Sequence, residues 1–514
     1  MRTEHGVDPG DAADPLVLAL DVGSSSARAL VYDARGRMVT GLEAHRPYPV
    51  QTTPDGGVTI DPNGLLDDTF QCIDAVLGQM PAGRAIASVA CDTFWHSLMG
   101  VSEEGSALTP MFTWADTRSS EAAKDLGRQL DVRAVHTRTG CVLHSSYLPA
   151  KLRWLGETQP ELVRSACYWM SFAEFLYLQL FGERRVSFSM ASATGLFDQD
   201  ACRWDEEVIG VLPIDQNQLS PLAEFTDYMS GLRKPFESRW PGLQGVPWYL
   251  ALGDGACNNV GSGGFRDDWV VVMIGTSGAI RVVRVADRSE PLPGLWTYRV
   301  DGKRFVQGGA LSDGGNVFAW LNHTLQLPAI EELERQLSGM APDAHGLTVL
   351  PFLAGERSPN WNPDARSAVV GMTLATTPIE IVRASMEAVA YRVGIVYESL
   401  KRNIPGTRGI IGSGAGLIHS PAWLQMMTDV LGEPMSVSAV PEASSRGAAL
   451  LVLESRGMLA DLADAPAPLG VKYQPDEARA AIYRAGRERQ QSLYSHLFEN
   501  DLTSGSASHR GEYV

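Results

Sequence analysis

The segment LALDVGSSSARALVYD at residues 18–33 recurs in outline as VVMIGTSGAIRVV at residues 271–283. Each copy is a short apolar strand, a Gly-Ser/Thr-Ser turn and a second strand that starts with small residues. Apolar runs broken by so tight a turn read as β-hairpins. Turns of Gly, Ser and Thr leave backbone N–H groups and hydroxyls uncovered, which is what a polyphosphate needs from a protein. Two such hairpins facing each other would hold the two ends of a nucleotide triphosphate. A lone acid, Asp254 in LGDGACNNVG, stands between the copies, just before the second.

A chain of 514 residues is expected to fold as more than one domain, here two large lobes. The net charge of −17 argues against nucleic acid or an anionic membrane as the main partner. An acidic enzyme with anionic substrates must concentrate its cations locally or use metal. Cys72, Cys91, Cys141, Cys167, Cys202 and Cys257 form no C-x-x-C pair, and their irregular gaps suit neither zinc nor a disulfide framework. They read as reduced, mostly buried thiols of a cytoplasmic protein. The acidic, polar start MRTEHGVDPGDAADP is no signal peptide, and no apolar run approaches the roughly 18 residues of a membrane span.

Residues 1–14 and the tail 500–514 are expected to be disordered. Strands are expected at 16–21, 27–33 and 38–43, a helix at 64–80, and strands at 86–91 and 97–101. A polar helix is expected at 117–130 and an apolar one at 160–182. A strand at 248–252 leads into Asp254, and the second hairpin spans 269–284. Thr377-Pro378 opens a long helix whose Val382, Met386, Val389, Val393 and Val396 line one face. Strand 408–411 runs into GSGAG, and Ser420-Pro421 starts a helix through Leu431. Alternating strands and helices with a duplicated hairpin make the fold α/β with two related lobes.

Asp21 ends the first strand, where a carboxylate can hold Mg²⁺ through water; its copy position is Met273, so only one turn would carry metal. An ordinary hairpin whose Asp bonds its own turn would look the same. No G-x-x-x-x-G-K-[ST] occurs, so ATP would bind without a Lys-bearing phosphate loop. GSGAG at 412–416 has Leu417 where a dinucleotide fingerprint needs its third glycine, and is better read as backbone lying flat under an adenine or ribose. Asp254 precedes a helix start whose dipole keeps a carboxylate ionised; it would orient an attacking hydroxyl, or else simply be an N-cap. Trp95 and His96, and Asp116 and Arg118 after Trp114, place aromatics beside polar groups suited to a polyol, with Arg118 able to meet a carboxylate bidentately. A satisfied His96 and a structural Asp116–Arg118 pair are the plain alternatives.

Taken in order, DVGSSSARALVYD, FTWADTRS, KLRWLGETQPEL, SMASATGLFD, GDGACNNVGSG, GTSGAIR, PFLAGERSPNWNPDAR and EASSRGAALL resemble the FGGY family of carbohydrate kinases over residues 15 to 460. The resemblance implies two actin-like (ribonuclease H-like) lobes of the hexokinase, heat-shock-70 and actin ATPase superfamily, with a cleft holding ATP and Mg²⁺. It implies an N-terminal domain over 15–261 on the sugar and magnesium side, and a C-terminal domain over 262–485 on the nucleotide side. By position, Asp254 matches the catalytic base, and Asp21 with Asp254 the metal-linked acids. Ser24, Ser25, Arg28, Gly275, Thr276 and Ser277 match phosphate positions; Gly315, Gly414 and Ala415 flank the nucleoside. Trp95, His96, Asp116, Arg118 and Asp254 fall near the substrate.

The texture is most similar to the gluconate kinases, with departures at Phe94-Trp95 and at Leu311-Ser312-Asp313. The expected reaction is phosphorylation of a sugar or sugar acid, gluconate first, with a ketopentose as the alternative substrate. A nucleotide-gated sensor on the same scaffold is the rival from another class, and the retained Asp254 counts against it. Oligomeric state is left open, a homodimer included.

Overall fold

The computed structural model describes residues 6–402, 404 and 406–499. The expected tail 500–514 and residues 1–5 lie outside the described residues. The N-terminal sheet contains β1 (Leu16–Val22), β2 (Ser26–Tyr32), β3 (Met38–Pro47), β4 (Ile86–Thr93) and β5 (Leu252–Gly253), with α1 (Pro62–Gln79) crossing between β3 and β4. Its order is β5-β4-β1-β2-β3, with β1 antiparallel to β2 and parallel to β4. Every residue of β1 is buried, as its unbroken apolar run requires of a strand covered on both faces.

Asp254 begins α2 (Asp254–Gly261), and the chain then builds a second sheet. Its strands are β6 (Trp269–Ile274), β7 (Gly278–Val285), β8 (Trp296–Arg299) and β9 (Arg304–Leu311). After α3 (Gly315–Thr324) and α4 (Pro378–Lys401) come β10 (Gly409–Ser413), β11 (Met435–Ser438), α5 (Ala443–Ser455) and β12 (Leu469–Tyr473). The order β8-β9-β7-β6-β10-β11-β12 contains the N-terminal pattern within it: a hairpin, a third antiparallel strand on one side and two parallel strands on the other. The duplication read from the hairpins therefore extends to whole sheets. It puts the two Gly-Ser/Thr-Ser turns at equivalent corners, beside the carboxyl ends of the parallel strands, where open α/β sheets bind ligands.

The helix after β11 crosses between lobes. Ala448 to Leu453 of α5 join the apolar cluster of β1 and β4, whereas β6 and α4 belong to a separate core. At the crossing, a Cβ on Gly447 would lie 1.9 Å from the Cys257 carbonyl oxygen, and one on Gly261 1.8 Å from that of Ala443, so α2 and α5 touch backbone to backbone. Buried Arg446 fixes the seam, donating to the carbonyls of Gly36 (3.0 Å), Gly261 (2.7 Å) and Ala465 (2.8 Å).

Three local expectations differ from the fold. Residues 6–14 are not disordered: Val7 pairs across Met38 and Thr40 at 2.9 Å, and Val7 and Ala12 are buried. The edge of β3 supplies the partners that an acidic composition does not suggest. The helix expected at 160–182 is broken into Pro160–Ser165 and Phe172–Phe181 around a strand at Tyr168–Met170, because the Ser171/Glu174 capping box starts a new helix. Of the strand expected at 248–252, only Leu252 reaches the sheet ladder, Trp248 making isolated bridges instead.

The seam makes a contrast in glycines. Gly447→Val forces side-chain atoms into the α2 backbone and should cost about 1–3 kcal/mol or more, lowering the thermal midpoint by several degrees. Gly78→Ala in α1, where nothing lies within 4 Å of the added Cβ, should hold or raise the midpoint, since alanine favours a helix by about 1 kcal/mol. Thermal melts of both variants check this.

Candidate active site

Strand register assembles a group of acids. Asp21 on β1 stands opposite Asp92 on β4, and Asp92 stands opposite Leu252 of β5, two residues before Asp254. Asp21 is buried and accepts from Arg28 Nη1 at 3.0 Å; Arg28 also meets Glu442, at 3.4 Å. Asp92 is fully buried, and among the described residues no group donates a hydrogen bond to its carboxylate oxygens. Burial, then the charges of Asp21 and Asp254, push Asp92 well above the usual carboxylate range, so Asp92 keeps the proton of the pair. Burial raises Asp21 as well, against the pull of Arg28. Asp254 is raised to about 6 by burial, with Arg281 opposing and Asp21 adding to the rise. Asp92 was not singled out in the sequence; only the parallel pairing of β4 with β1 reveals it.

Asp254 is not the helix N-cap. Gly253 takes that place in extended conformation, and Asp254 sits half-buried in the first turn, accepting from Gly255 N at 2.7 Å. The flanking glycines admit Trp95: a Cβ on Gly253 would lie 1.9 Å from the indole Nε1, and one on Gly255 2.6 Å from Cζ3. Trp95 is thus a wedge against the start of α2. Its ring lies 4.9 Å from Tyr298, which stacks on Trp296 at 4.4 Å, so aromatics of both sheets meet beside Asp254. His96, in the left-handed region at φ 64°, places Nδ1 2.6 Å from the Ala193 carbonyl and its ring 4.9 Å from Tyr147. Burial pushes its pKa down to about 3, so the ring is neutral. The Tyr147 and Tyr298 hydroxyls meet at 2.7 Å.

Asp116 and Arg118 pair with each other, the plain alternative for these two residues. Arg118 Nε and Nη2 donate to Asp116 at 3.1 and 2.6 Å, and its guanidinium lies 4.8 Å from the Trp154 ring centre. Asp116 also accepts from Val58 N at 3.1 Å. The fork expected to meet a substrate carboxylate is already closed on Asp116. Two other guanidiniums stand by the aromatic wall, Arg281 on β7 and Arg357 over Trp114, 4.7 Å from the ring centre. They lay inside GTSGAIR and AGERSP, but no local pattern marked them out.

Both hairpin turns present their hydroxyl residues outward. Ser25 and Thr276 are exposed; Ser24 and Ser277 are half-buried. Gly23 N bonds Ser26 O at 3.0 Å, and Gly275 N bonds Ser277 O at 2.9 Å, so the turns close alike. Tyr48 braces the first through the Gly23 carbonyl. Against the second, Gly315 N donates to Gly275 O at 2.8 Å, and Gly414, at φ 85°, would place a Cβ 2.5 Å from Ile274 O. Gly275, Gly315 and Gly414 thereby form one backbone surface, bordered by exposed Ala415.

The carboxyls of Asp21, Asp92 and Asp254 outnumber the ion-paired cation beside them, a surplus that would attract a divalent cation through its water shell. A second group, Asp343, His345 and Glu387, would not. Leu347 N donates to His345 Nδ1 at 3.0 Å, so Nε2 carries the proton and donates to Glu387 at 3.1 Å. Arg489 and Arg383 occupy the two carboxylates.

Residues 16–261 match the N-terminal domain of the FGGY family of carbohydrate kinases, and residues 270–453 match its C-terminal domain. The chain belongs to this family: it is a carbohydrate kinase, a phosphotransferase with ATP as donor. Among its relatives, a gluconokinase of Bacillus subtilis (strain 168) is 28% identical over 96% of this chain and 98% of that protein. The fold is shared with a gluconate kinase from Lactobacillus acidophilus (TM-score 0.86, 24% identity, 95% of this chain and 98% of that one). It is shared equally with a xylulose kinase from the same organism (TM-score 0.87, 24% identity, 95% and 99%). Among the described residues, no helix is long and apolar enough to cross a membrane.

The raised Asp254 has a consequence for stability. Its folded value of about 6 exceeds the ordinary 3.8, so stability is full below about pH 4 and falls as pH rises through 6, where the folded protein must ionise a poorly solvated acid. Asp254→Asn does not titrate. Its thermal midpoint relative to the unsubstituted protein should therefore climb between about pH 4 and pH 7, as melts across that range would record.

Proposed function

We propose that this kinase phosphorylates D-gluconate at O6, giving 6-phosphogluconate and ADP. The observation that carries the reading is the position of Asp254, grouped with Asp21 at the strand ends and walled by aromatics of both sheets. Kinship with the Bacillus gluconokinase supports the substrate. The closure of Arg118 on Asp116 favours a second reading, a neutral ketopentose such as xylulose, unless another cation receives the acid group.

The Asp254 carboxylate accepts a hydrogen bond from the O6 hydroxyl and takes its proton late, as phosphoryl transfer through a loose transition state requires little base strength. A value of about 6 leaves it ionised at neutral pH, yet more basic than an ordinary carboxylate. The start of α2 and the Gly255 N–H hold that charge. Ser24, Ser25 and the Gly275–Ser277 turn receive phosphate oxygens, while Gly315, Gly414 and Ala415 lie along the nucleoside. Asp21 and Asp254 would hold Mg²⁺, which when bound neutralises the β- and γ-phosphates. Trp95 and His96 shape the polyol end. Lobe closure about the α2–α5 seam excludes water, which would otherwise waste ATP.

In this reading the N-terminal domain ends near residue 261, and one chain furnishes the whole site without a second copy. The cytoplasm suits its six unpaired cysteines.

Coupled ADP release with gluconate, xylulose, ribulose, glycerol and erythritol tests the reading. Gluconate should be turned over with the highest kcat/KM, rising with pH to a plateau above about 6. Asp254→Asn should lose on the order of 10²–10⁴ in kcat while still binding Mg-ATP. Asp21→Asn should raise the Mg²⁺ needed for half-maximal rate. Failure of folded protein to phosphorylate any member of the panel rejects it.

A further inference from the structure

Six arginines are buried among the described residues, and five of them have at least one hydrogen-bond or ion-pair partner. Arg299 and Arg446 donate to backbone carbonyls, Arg304 pairs with Asp301 and Glu454, Arg383 with Glu387, and Arg392 with Glu356. Arg281 is the exception. It is 9% exposed, and its Nε and Nη1 are buried with no hydrogen-bond partner. Space for it is built in: a Cβ on Gly308 would lie 3.1 Å from its Cγ, and one on Gly255 3.2 Å from its Cζ. The guanidinium therefore reaches from the second sheet to the start of α2, beside Asp254, without forming an ion pair with it. A buried guanidinium left unpaired is costly, which marks a site completed by a ligand.

The charges around it locate that ligand. Asp254 and Tyr298 act on Arg281, whereas Asp21 feels Arg28, Asp92 and His45. Arg281 thus lies beside Asp254 and the aromatic wall, at the start of α2. Arg357 extends the cationic side past Tyr298; its Nη2 donates to Leu311 O at 3.2 Å, and its Nε is also without a partner. Planar guanidinium N–H groups match a carboxylate better than any hydroxyl of a polyol.

We propose that Arg281 is the specificity-determining residue that receives the carboxylate of an aldonic acid, with Arg357 supporting it, so that the acid end of the substrate lies against the aromatic wall. This rests on the reading that the substrate is a sugar acid. No bond is made or broken at Arg281; it fixes which polyol end faces Asp254.

The test compares D-gluconate with D-glucitol, its neutral six-carbon counterpart, in the unsubstituted enzyme, Arg281→Gln and Arg281→Lys. Both kcat/KM and affinity from tryptophan fluorescence without nucleotide are measured. Arg281→Gln should cut the preference for gluconate about 100-fold, chiefly through KM, and weaken gluconate binding equally. Arg281→Lys should recover part of both, and free guanidinium should partly restore gluconate binding to Arg281→Gln. Equal losses for the two substrates, falling on kcat, would assign Arg281 to the transferring phosphate and overturn the proposal. An unchanged preference would overturn it too. An unsubstituted enzyme that phosphorylates neutral sugars and ignores gluconate would instead sink the substrate reading itself.

Discussion

Three carboxyl groups at the ends of neighbouring parallel strands set the terms for the rest of this molecule. Asp21, Asp92 and Asp254 are brought together by backbone register alone, and among the described residues Arg28 is the only cation in an ion pair with any of them. Like charges so confined cannot all ionise, and among the described residues no group donates a hydrogen bond to the buried Asp92 carboxylate. Such a centre weakens the empty protein and favours whatever positive group enters it. Under the proposed function that cost becomes selectivity: Mg-ATP supplies the cation, and the base is left poised near neutrality.

The same economy of side chains governs the geometry. Gly253 and Gly255 let Trp95 press on the start of α2, and Gly261 and Gly447 let α2 and α5 meet at their backbones. Although α5 follows β11 of the second sheet, it packs on the first, against the helix that begins with Asp254. Arg446, bonded to three chain segments, keeps that seam in register. Asp254, the proposed base, is therefore mounted on the element that joins the halves.

Much of this was legible in one dimension. The hairpins, Asp21 before its turn, Asp254 before a small-residue helix and the capped helix at Thr377 are local patterns, and local patterns survive into structure. What stayed hidden depends on neighbours distant in the chain. Asp92 carries no motif and becomes notable only when β4 is laid beside β1. Arg118 looks available until Asp116 is seen to occupy both arms of its fork. Arg281 sits inside a recognised motif, but its want of partners is a tertiary property. Residues 6–14 seemed too polar to order, because the free edge of β3 that captures them is not written in their own composition.

The most direct test of the account is a crystal structure with Mg-ADP and gluconate bound together. The account predicts a sugar hydroxyl about 2.6–3.2 Å from an Asp254 carboxylate oxygen, with the nucleotide phosphates between the two hairpin turns. A substrate seated away from Asp254, or phosphates bound apart from those turns, would contradict it.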